Sequence, residues 1–501
     1  MVNIAADVWA HALADPDRIA VRSPVARSYG QLRCANAQVA GTLRAAGLAP
    51  LDRVVLIAPS IPEFVELYYG LHAAGVTVIT MNTMSTRHEI GYVLDDSGAS
   101  LAIAWHECAT AAREASADHE VAFWEIGPDH EYVGTPIGEP HEHAPDDTAL
   151  ILYTSGTTGR PKGAELTAAN LVSTVEAFVP ALGFTRADRV GTALPLFHVF
   201  GQAVCMNSTL SVGASLSLLA PFDAEAMLAM ARDDRLTVLL GVPTMWNALL
   251  HCDAGFTAAD FSELRLAASG GASLPAEVIR AFEARFSCTI LEGYGLTETT
   301  GCGTFSDIHR PTKVGTVGPA LPTMQVEVRN ARGTPVPACE VGEVHLSGPG
   351  LMKGYWGRPE ATAEDLEEGW LRTGDLGYLD ADGYLTVVDR VKDLIIRGGY
   401  NVYPREVEEV LYEHPAIVEV AVVGVPDEFY GEEAAAVIVV ASDAVVTGDE
   451  IRTWAKERLS AYKVPRLFSF VDALPRGATG KILKRAIDRS PLRSTSLQNS
   501  R

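Results

Sequence analysis

Eleven residues, Tyr153 to Gly163, read YTSGTTGRPKG and hold the densest chemistry in the chain. Hydroxyls at Thr154, Ser155, Thr157 and Thr158 alternate with Gly156, Gly159 and Gly163, and a cation stands at Lys162. Glycines let a backbone curl until successive N–H groups face one anion, and the hydroxyls and ammonium add further donors. That is the chemistry of a polyphosphate cradle. The ending is not that of a Walker A loop, because Arg160 and Pro161 separate Gly159 from Lys162. A Ser/Thr/Gly surface linker has the same composition, so this segment taken alone leaves both readings open.

Other chemistry-bearing groups follow in order. Leu296-Thr297-Glu298-Thr299 stands behind Gly293-Tyr294-Gly295, and Thr373-Gly374-Asp375 follows Trp370. Asp389-Arg390 precedes Gly398-Gly399, and Lys481 lies in RGATGKILKR near the end.

The elements around these groups set where they stand. Apolar Ala149 to Tyr153 leads into the first motif as a strand, and a helical pattern opens near Thr167, so the motif is a loop leaving a strand. Strand-like runs such as Val54 to Ala58 and Thr237 to Leu240 alternate with helical patterns such as Ala224 to Arg232, which predicts α/β layers with buried sheets. From about Gly342 to Val388 the texture becomes short segments broken by Gly and Pro, ending in a turn at Asp380 to Gly383, and predicts a small β subdomain. Beyond Lys392 the order is helix (Pro404 to Tyr412), strand (Val418 to Val423), strand (Ala434 to Val440) and helix (Gly448 to Leu459). The expected fold is therefore a large N-terminal domain over 1–391, of layered α/β subdomains plus the β subdomain, and a separate α+β domain over 392–501. Polar, Ser-rich Ser490 to Arg501 is expected to fray.

Composition narrows the partners. A chain of 501 residues with 48% hydrophobic side chains can fill more than one core. Forty basic against 63 acidic side chains give a net charge of −23, which repels nucleic acid, so an anionic ligand must be held by local cations. Seven cysteines, an odd number with no C-x-x-C pair, fit reduced thiols in a cytoplasmic protein. The first ten residues lack an export signal, and no run reaches the roughly 18 apolar residues of a membrane span. Peripheral membrane contact and a homodimer stay open.

Taken together, the six ordered motifs resemble the adenylate-forming superfamily of acyl-CoA synthetases, luciferases and peptide-synthetase adenylation domains, and most resemble bacterial fatty acyl-CoA synthetases. The resemblance spans nearly the whole chain. It implies a two-step reaction: a carboxylate attacks the α-phosphate of ATP to give acyl-AMP and pyrophosphate, and the thiol of coenzyme A then takes the acyl group.

Each motif gains a role in that scheme. Thr154 to Gly159 and Lys162 would cradle phosphates. Glu298, beside the Thr297 hydroxyl and with Thr154, would hold Mg2+, which prefers hard oxygen ligands. Asp375 would grip the ribose hydroxyls, with Arg390 donating to the same sugar and phosphate region. Tyr294, flanked by Glu292 and Gly293, would stack on adenine while Gly271, Ala272 and Ser273 let the backbone approach it. Lys481 would bridge carboxylate and α-phosphate, cancelling charge as it builds. Lys392 would be the pivot of a swinging small domain, after which Gly398 and Gly399 border the pantetheine path. His198 matches the position that screens that path. Each also has a plain structural use: a surface acid, a core tyrosine, a tight turn, a solvated lysine, a half-buried histidine. Lys484 and Arg485 are expected to be solvated.

The acyl pocket is expected around Phe200, Gly201, Val204, Val242, Trp246 and Gly295. No cation stands among them, and Gly293 occupies the place where malonate-activating relatives carry an arginine, so a dicarboxylate is disfavoured. Trp246 resembles the tunnel gate of long-chain synthetases, or is a core indole. The expected substrate is a small-molecule carboxylic acid, a medium- or long-chain fatty acid first. Fatty acyl-AMP ligases that load a carrier protein and coumarate-type aryl ligases are the enzymatic alternatives, and an inactive nucleotide-binding scaffold the non-enzymatic one.

Overall fold

In a computed structural model of the chain, the described residues are 2–22, 25–128, 130–154, 160–427, 429–441, 444, 446–477 and 480–493. Ser155, Gly156, Thr157, Thr158 and Gly159 of the expected phosphate cradle lie outside them.

Two large sheets carry the N-terminal part, as the alternation of apolar runs and helical patterns predicts. In one, Thr148–Thr154 lies beside Thr77–Met81, followed outward by Arg53–Ile57, Leu101–Trp105 and Ala122–Ile126, all parallel. On its other side Lys162–Thr167 pairs antiparallel, so the strands entering and leaving the Thr154 loop are neighbours. In the second sheet, parallel Arg189–Thr192, Val238–Gly241, Leu266–Ser269 and Thr289–Gly295 end on antiparallel Gly303–Phe305. Helices cover these strands, and every residue of Leu101–Trp105 and of Val238–Gly241 is buried, as expected of parallel strands enclosed on both faces.

Local chemistry explains the boundaries near the site. Thr167 Oγ1 accepts the Asn170 N–H at 3.1 Å while Asn170 Oδ1 accepts the Thr167 N–H at 2.8 Å. This reciprocal cap starts the helix Ala168–Leu182 where the sequence predicts. Asn170 Nδ2 also donates to Pro349 O (2.7 Å) and Leu351 O (2.9 Å), binding a distant segment to the helix start.

A third sheet, built on Gly342–Ser347, Trp370–Leu379 and Leu385–Arg390, forms the expected β subdomain. Gly354–Tyr355 departs from that expectation. It leaves the subdomain and extends the first sheet, with Tyr355 opposite Ala164, because Trp356 N–H and Lys353 N–H find carbonyls at Gly163 (2.8 Å) and Glu165 (2.9 Å).

The small C-terminal domain is a sheet of Tyr400–Val402, Ile395–Arg397, Gly431–Val440 and Ile417–Asp427, with Leu467–Phe470 parallel to Gly431–Val440. Its helix Pro404–Tyr412 begins and ends as predicted; Ile417–Asp427 runs four residues past Val423, and Gly448–Lys456 stops before Leu459. Hydrophobic clusters of its own fill both faces. Among the described residues no helix is long and apolar enough to cross a membrane.

Candidate active site

A cavity of about 2230 Å³ opens between the C-terminal ends of the second sheet's strands, the third sheet and the small domain. Ends of parallel strands are where α/β proteins collect ligands, because loops diverge there and leave a crevice.

Tyr294 ends the strand Thr289–Gly295 and donates its hydroxyl to Asp375 Oδ2 at 2.5 Å. Asp375 is 5% exposed. Its N–H bonds Thr373 Oγ1 at 3.1 Å, and Arg390 Nε on the neighbouring strand lies 3.4 Å from Oδ1. Burial pushes this carboxyl above the ordinary aspartate value; the Tyr294 hydroxyl and the charges of Arg390, Lys481 and Lys392 pull it back. The backbone at Gly271, with φ of +81°, turns tightly beside Lys481: a Cβ there would stand 3.0 Å from Lys481 Cε. Ala272, Ser273, Gly293, Gly295 and Thr297 also line the cavity.

Lys481 reaches this centre from the small domain. Enclosure, and then the Arg390 charge, lower its pKa to about 8, while Asp375 opposes the change. His198 faces it. Burial, then the Lys481 charge, lowers the imidazole to about 3, so the ring is neutral. Its Nδ1 accepts the Phe200 N–H at 3.4 Å, which places the ring proton on Nε2. Phe200–Asn207 is a π-helix, a departure from regular helix geometry that often marks functional positions and that the sequence reading did not include.

Glu298 stands across the cavity. Thr154 Oγ1 donates to its Oε1 at 3.3 Å and Tyr355 OH lies 3.1 Å from the same oxygen. Lys162 Nζ lies 3.7 Å from Asp365 Oδ2 and 4.6 Å from the Tyr355 ring centroid. Among the described residues no group of three or more His, Cys, Asp or Glu could hold a metal. A carboxylate with an adjacent hydroxyl nevertheless fits Mg2+, which keeps its waters and takes most of its other oxygens from phosphates.

Several expected residues stand elsewhere. Glu292 is buried beneath the cavity rather than lining it. Its Oε1 accepts the Leu274 N–H at 3.2 Å, and its carboxyl is pushed up to about 7, chiefly by burial. Phe200, Val204 and Val242 line the cavity, and Gly201 borders a small recess beside it. Trp246 is fully buried, edge-on to Phe282 at 5.3 Å between ring centroids, and is not a lining residue. Lys392 sits exposed at the cavity rim. Gly398 and Gly399 form a positive-φ turn in the small domain, away from the lining.

Other residues at the site escaped the sequence reading. Tyr355 and Asp365 meet Glu298 and Lys162 across large sequence gaps. Lys484, expected to be solvated, instead has Nζ 2.7 Å from Glu408 Oε1. Burial opposes its charge, but the Glu408 and Asp389 carboxylates outweigh that and raise its pKa. Arg485 is exposed, as expected. Glu409 of the small domain accepts the Ala276 N–H of the large domain at 3.3 Å. The only local signal for these partners was their place in charged or Gly-Tyr segments, which names no partner.

A model of the AMP-binding enzyme family matches residues 8–356, and one of the AMP-binding enzyme C-terminal domain matches 406–481. The chain belongs to the AMP-binding enzyme family. It is 40% identical to a feruloyl-CoA synthase of an Amycolatopsis species over 480 residues, 95% of this chain and 96% of that one. A long-chain-fatty-acid–CoA ligase of Bacillus subtilis is 34% identical over 490 residues, covering 90% and 87%. The crystal structure of ATP-bound MatB from Rhodopseudomonas palustris superposes with a TM-score of 0.91 at 34% identity, covering 97% of each chain. This AMP-binding enzyme is an acid–thiol ligase that works through an adenylate and uses ATP, Mg2+ and coenzyme A. The scaffold alternative is thereby set aside. Within a chain of net charge −23, Lys162, Arg390, Lys392 and Lys481 line the cavity and are the local cations an anionic ligand would meet there.

Proposed function

We propose that this ligase activates a compact, uncharged, apolar monocarboxylic acid, foremost an aryl-propenoic acid, and passes the acyl group to coenzyme A. One observation carries the reading: apolar side chains seat closely on glycines along the expected acyl arm. A Cβ on Gly270 would meet the Phe200 ring at 3.2 Å, one on Gly301 would meet Val204 at 2.8 Å, and one on Gly293 would meet Phe305 at 2.3 Å. The described side chains of that arm carry no charge, so a second carboxylate would be desolvated without a partner. Flat walls on glycine suit a planar tail. The 40% identity to a feruloyl-CoA synthase supports the same reading. A medium- or long-chain fatty acid is the second reading, favoured by the Bacillus subtilis relative.

In this reading Lys481 holds the acid's carboxylate against the α-phosphate, Asp375 and Arg390 hold the ribose, and Tyr294 with Gly271 to Ser273 holds adenine. Glu298, Thr154 and Thr297 surround the metal and phosphates, and Lys392 is the pivot between half-reactions. His198, neutral and facing Lys481, separates the thiol path from the adenylate. The seven unpaired cysteines agree with a reducing, cytoplasmic setting.

The test is competition among ferulate, coumarate, benzoate, octanoate, palmitate and malonate with ATP, Mg2+ and coenzyme A, thioesters being quantified by mass spectrometry. An aryl-propenoate should show the highest kcat/KM. Palmitate winning would replace the first reading by the second, and malonate winning would overturn the apolar pocket. Independently, Lys481→Ala should abolish acid-dependent pyrophosphate exchange while thiolysis of supplied acyl-AMP survives; equal loss in both would remove Lys481 from its role.

A further inference from the structure

We infer that Tyr355 is a positioning residue for the metal-holding carboxylate, and that Asp365 competes with Glu298 for its single hydroxyl proton. The inference rests on the reading of Glu298 as the carboxylate that meets the metal.

Tyr355 is 7% exposed and sits on the strand that extends the first sheet beside Lys162–Thr167. Its backbone is fixed on both sides: its N–H bonds Thr362 Oγ1 at 2.9 Å, and the N–H groups of Lys353 and Trp356 bond the phosphate-loop strand. The same segment holds the main chain of Glu298, because Met352 N–H donates to Glu298 O at 2.8 Å. The phenol ring therefore stands on a short rigid bridge between the loop that cradles phosphate and the turn that carries the acid.

From that bridge the hydroxyl has two acceptors, Glu298 Oε1 at 3.1 Å and Asp365 Oδ2 at 3.2 Å. A phenol has one proton, so it satisfies one carboxylate at a time. Asp365 has a second neighbour, the cation of Lys162, 3.7 Å from the same oxygen. Glu298 has only the Thr154 hydroxyl besides, and both of its bonds fall on Oε1. Among the described residues Oε2 takes none. The carboxylate is thus tethered through one oxygen while the other keeps its lone pairs for a cation. When phosphate draws Lys162 away from Asp365, the phenol faces two carboxylates, and a cation at Oε2 offsets the repulsion on the Glu298 side. A neutral phenol is a weak ligand for Mg2+ beside a carboxylate, so Tyr355 acts through Glu298.

The experiment uses the full chain with α,β-methylene-ATP, which cannot be cleaved at the α–β bond, and Mn2+ as a paramagnetic stand-in read by its free-ion resonance. Tyr355→Phe keeps the ring and its packing but removes the proton donor. It should weaken Mn2+ binding in the nucleotide complex about five- to tenfold, the size expected for the net contribution of one ordinary hydrogen bond. The affinity for the metal-free analogue should change less than twofold. Asp365→Asn should leave Mn2+ binding unweakened, because the phenol is then free to serve Glu298. Unchanged Mn2+ affinity in Tyr355→Phe, or equal weakening in Asp365→Asn, overturns the inference. Glu298→Gln separates the two claims: if it leaves Mn2+ affinity unchanged, the Glu298 reading has failed; if it weakens binding and Tyr355→Phe does not, only the positioning role has failed.

Discussion

Lys481 is a cation that the fold discourages from being one. Taken from water into the cleft and set near Arg390, it is held at a pKa of about 8, with only Asp375 in support. A lysine with a depressed pKa is charged below that value and neutral above it. Since kcat/KM for ATP reports the free enzyme, pyrophosphate exchange should hold a plateau up to about pH 8 and then fall about tenfold per unit. His198, already neutral from about pH 3 upward, cannot produce that fall. A decline that begins only near the ordinary lysine value would show that Lys481 is more solvated than its surroundings indicate. Trp246 poses the opposite question. With 0% exposure and Phe282 in a T-shaped contact with it, it belongs to the large core, so Trp246→Ala should destabilise the large domain by about 3–5 kcal/mol. Acid selectivity should stay as it was. A broadened chain-length preference with an unchanged denaturation midpoint would instead restore Trp246 to the pocket.

Among the elements, those governed by local rules were legible in the sequence. The capped start at Thr167 and the helix Pro404–Tyr412 follow from side chains a few residues apart, and the strand entering Thr154 from its apolar run. Pairings across the chain were not: Tyr355 meets Glu298 from 57 residues away, and Glu409 meets Ala276 from 133. Lys484 was misread for the same reason, since a basic stretch reveals nothing of the Glu408 waiting on another helix. The Glu409 contact has a consequence for function. The helix Ala276–Phe286 begins after Pro275, which offers no side-chain acceptor, so its first N–H is capped by a carboxylate from the small domain. That cap exists only in this relative orientation. Losing about 1 kcal/mol through Glu409→Ala should slow pyrophosphate exchange roughly fivefold. Thiolysis of supplied acyl-AMP should hold steady or rise, and a matching fall in both half-reactions would make Glu409 an ordinary structural contact.

At the scale of the whole molecule, the small domain is a body with its own core, joined along the chain to the third sheet by the segment between Leu385–Arg390 and Ile395–Arg397. Among the described residues, what keeps it over the cleft is thin. Beyond Lys481 itself there is the Glu409 cap, a bond from Asn247 Nδ2 to Val418 O at 3.3 Å, and Arg405, whose N–H meets Asp389 Oδ2 at 3.0 Å and whose guanidinium meets Val387 O. A few hydrogen bonds worth about 1 kcal/mol each can hold an orientation without fixing it. On that balance the exposed turn at Lys392 is where rotation would be absorbed, since Val391 is tied back to Gly374 (2.9 Å) and Asp393 to Arg390 (3.1 Å). Proline at this position fixes φ near −65° and removes the freedom a pivot needs. On the proposed reading Lys392→Pro should therefore leave pyrophosphate exchange within about threefold, because Lys481 already reaches the cavity, and cut thioester formation from supplied acyl-AMP by more than tenfold. Rapid-quench measurement of the two steps decides it. If both proceed at the unaltered rate, the pivot lies elsewhere in 391–394 or the thiol reaches the adenylate without rotation.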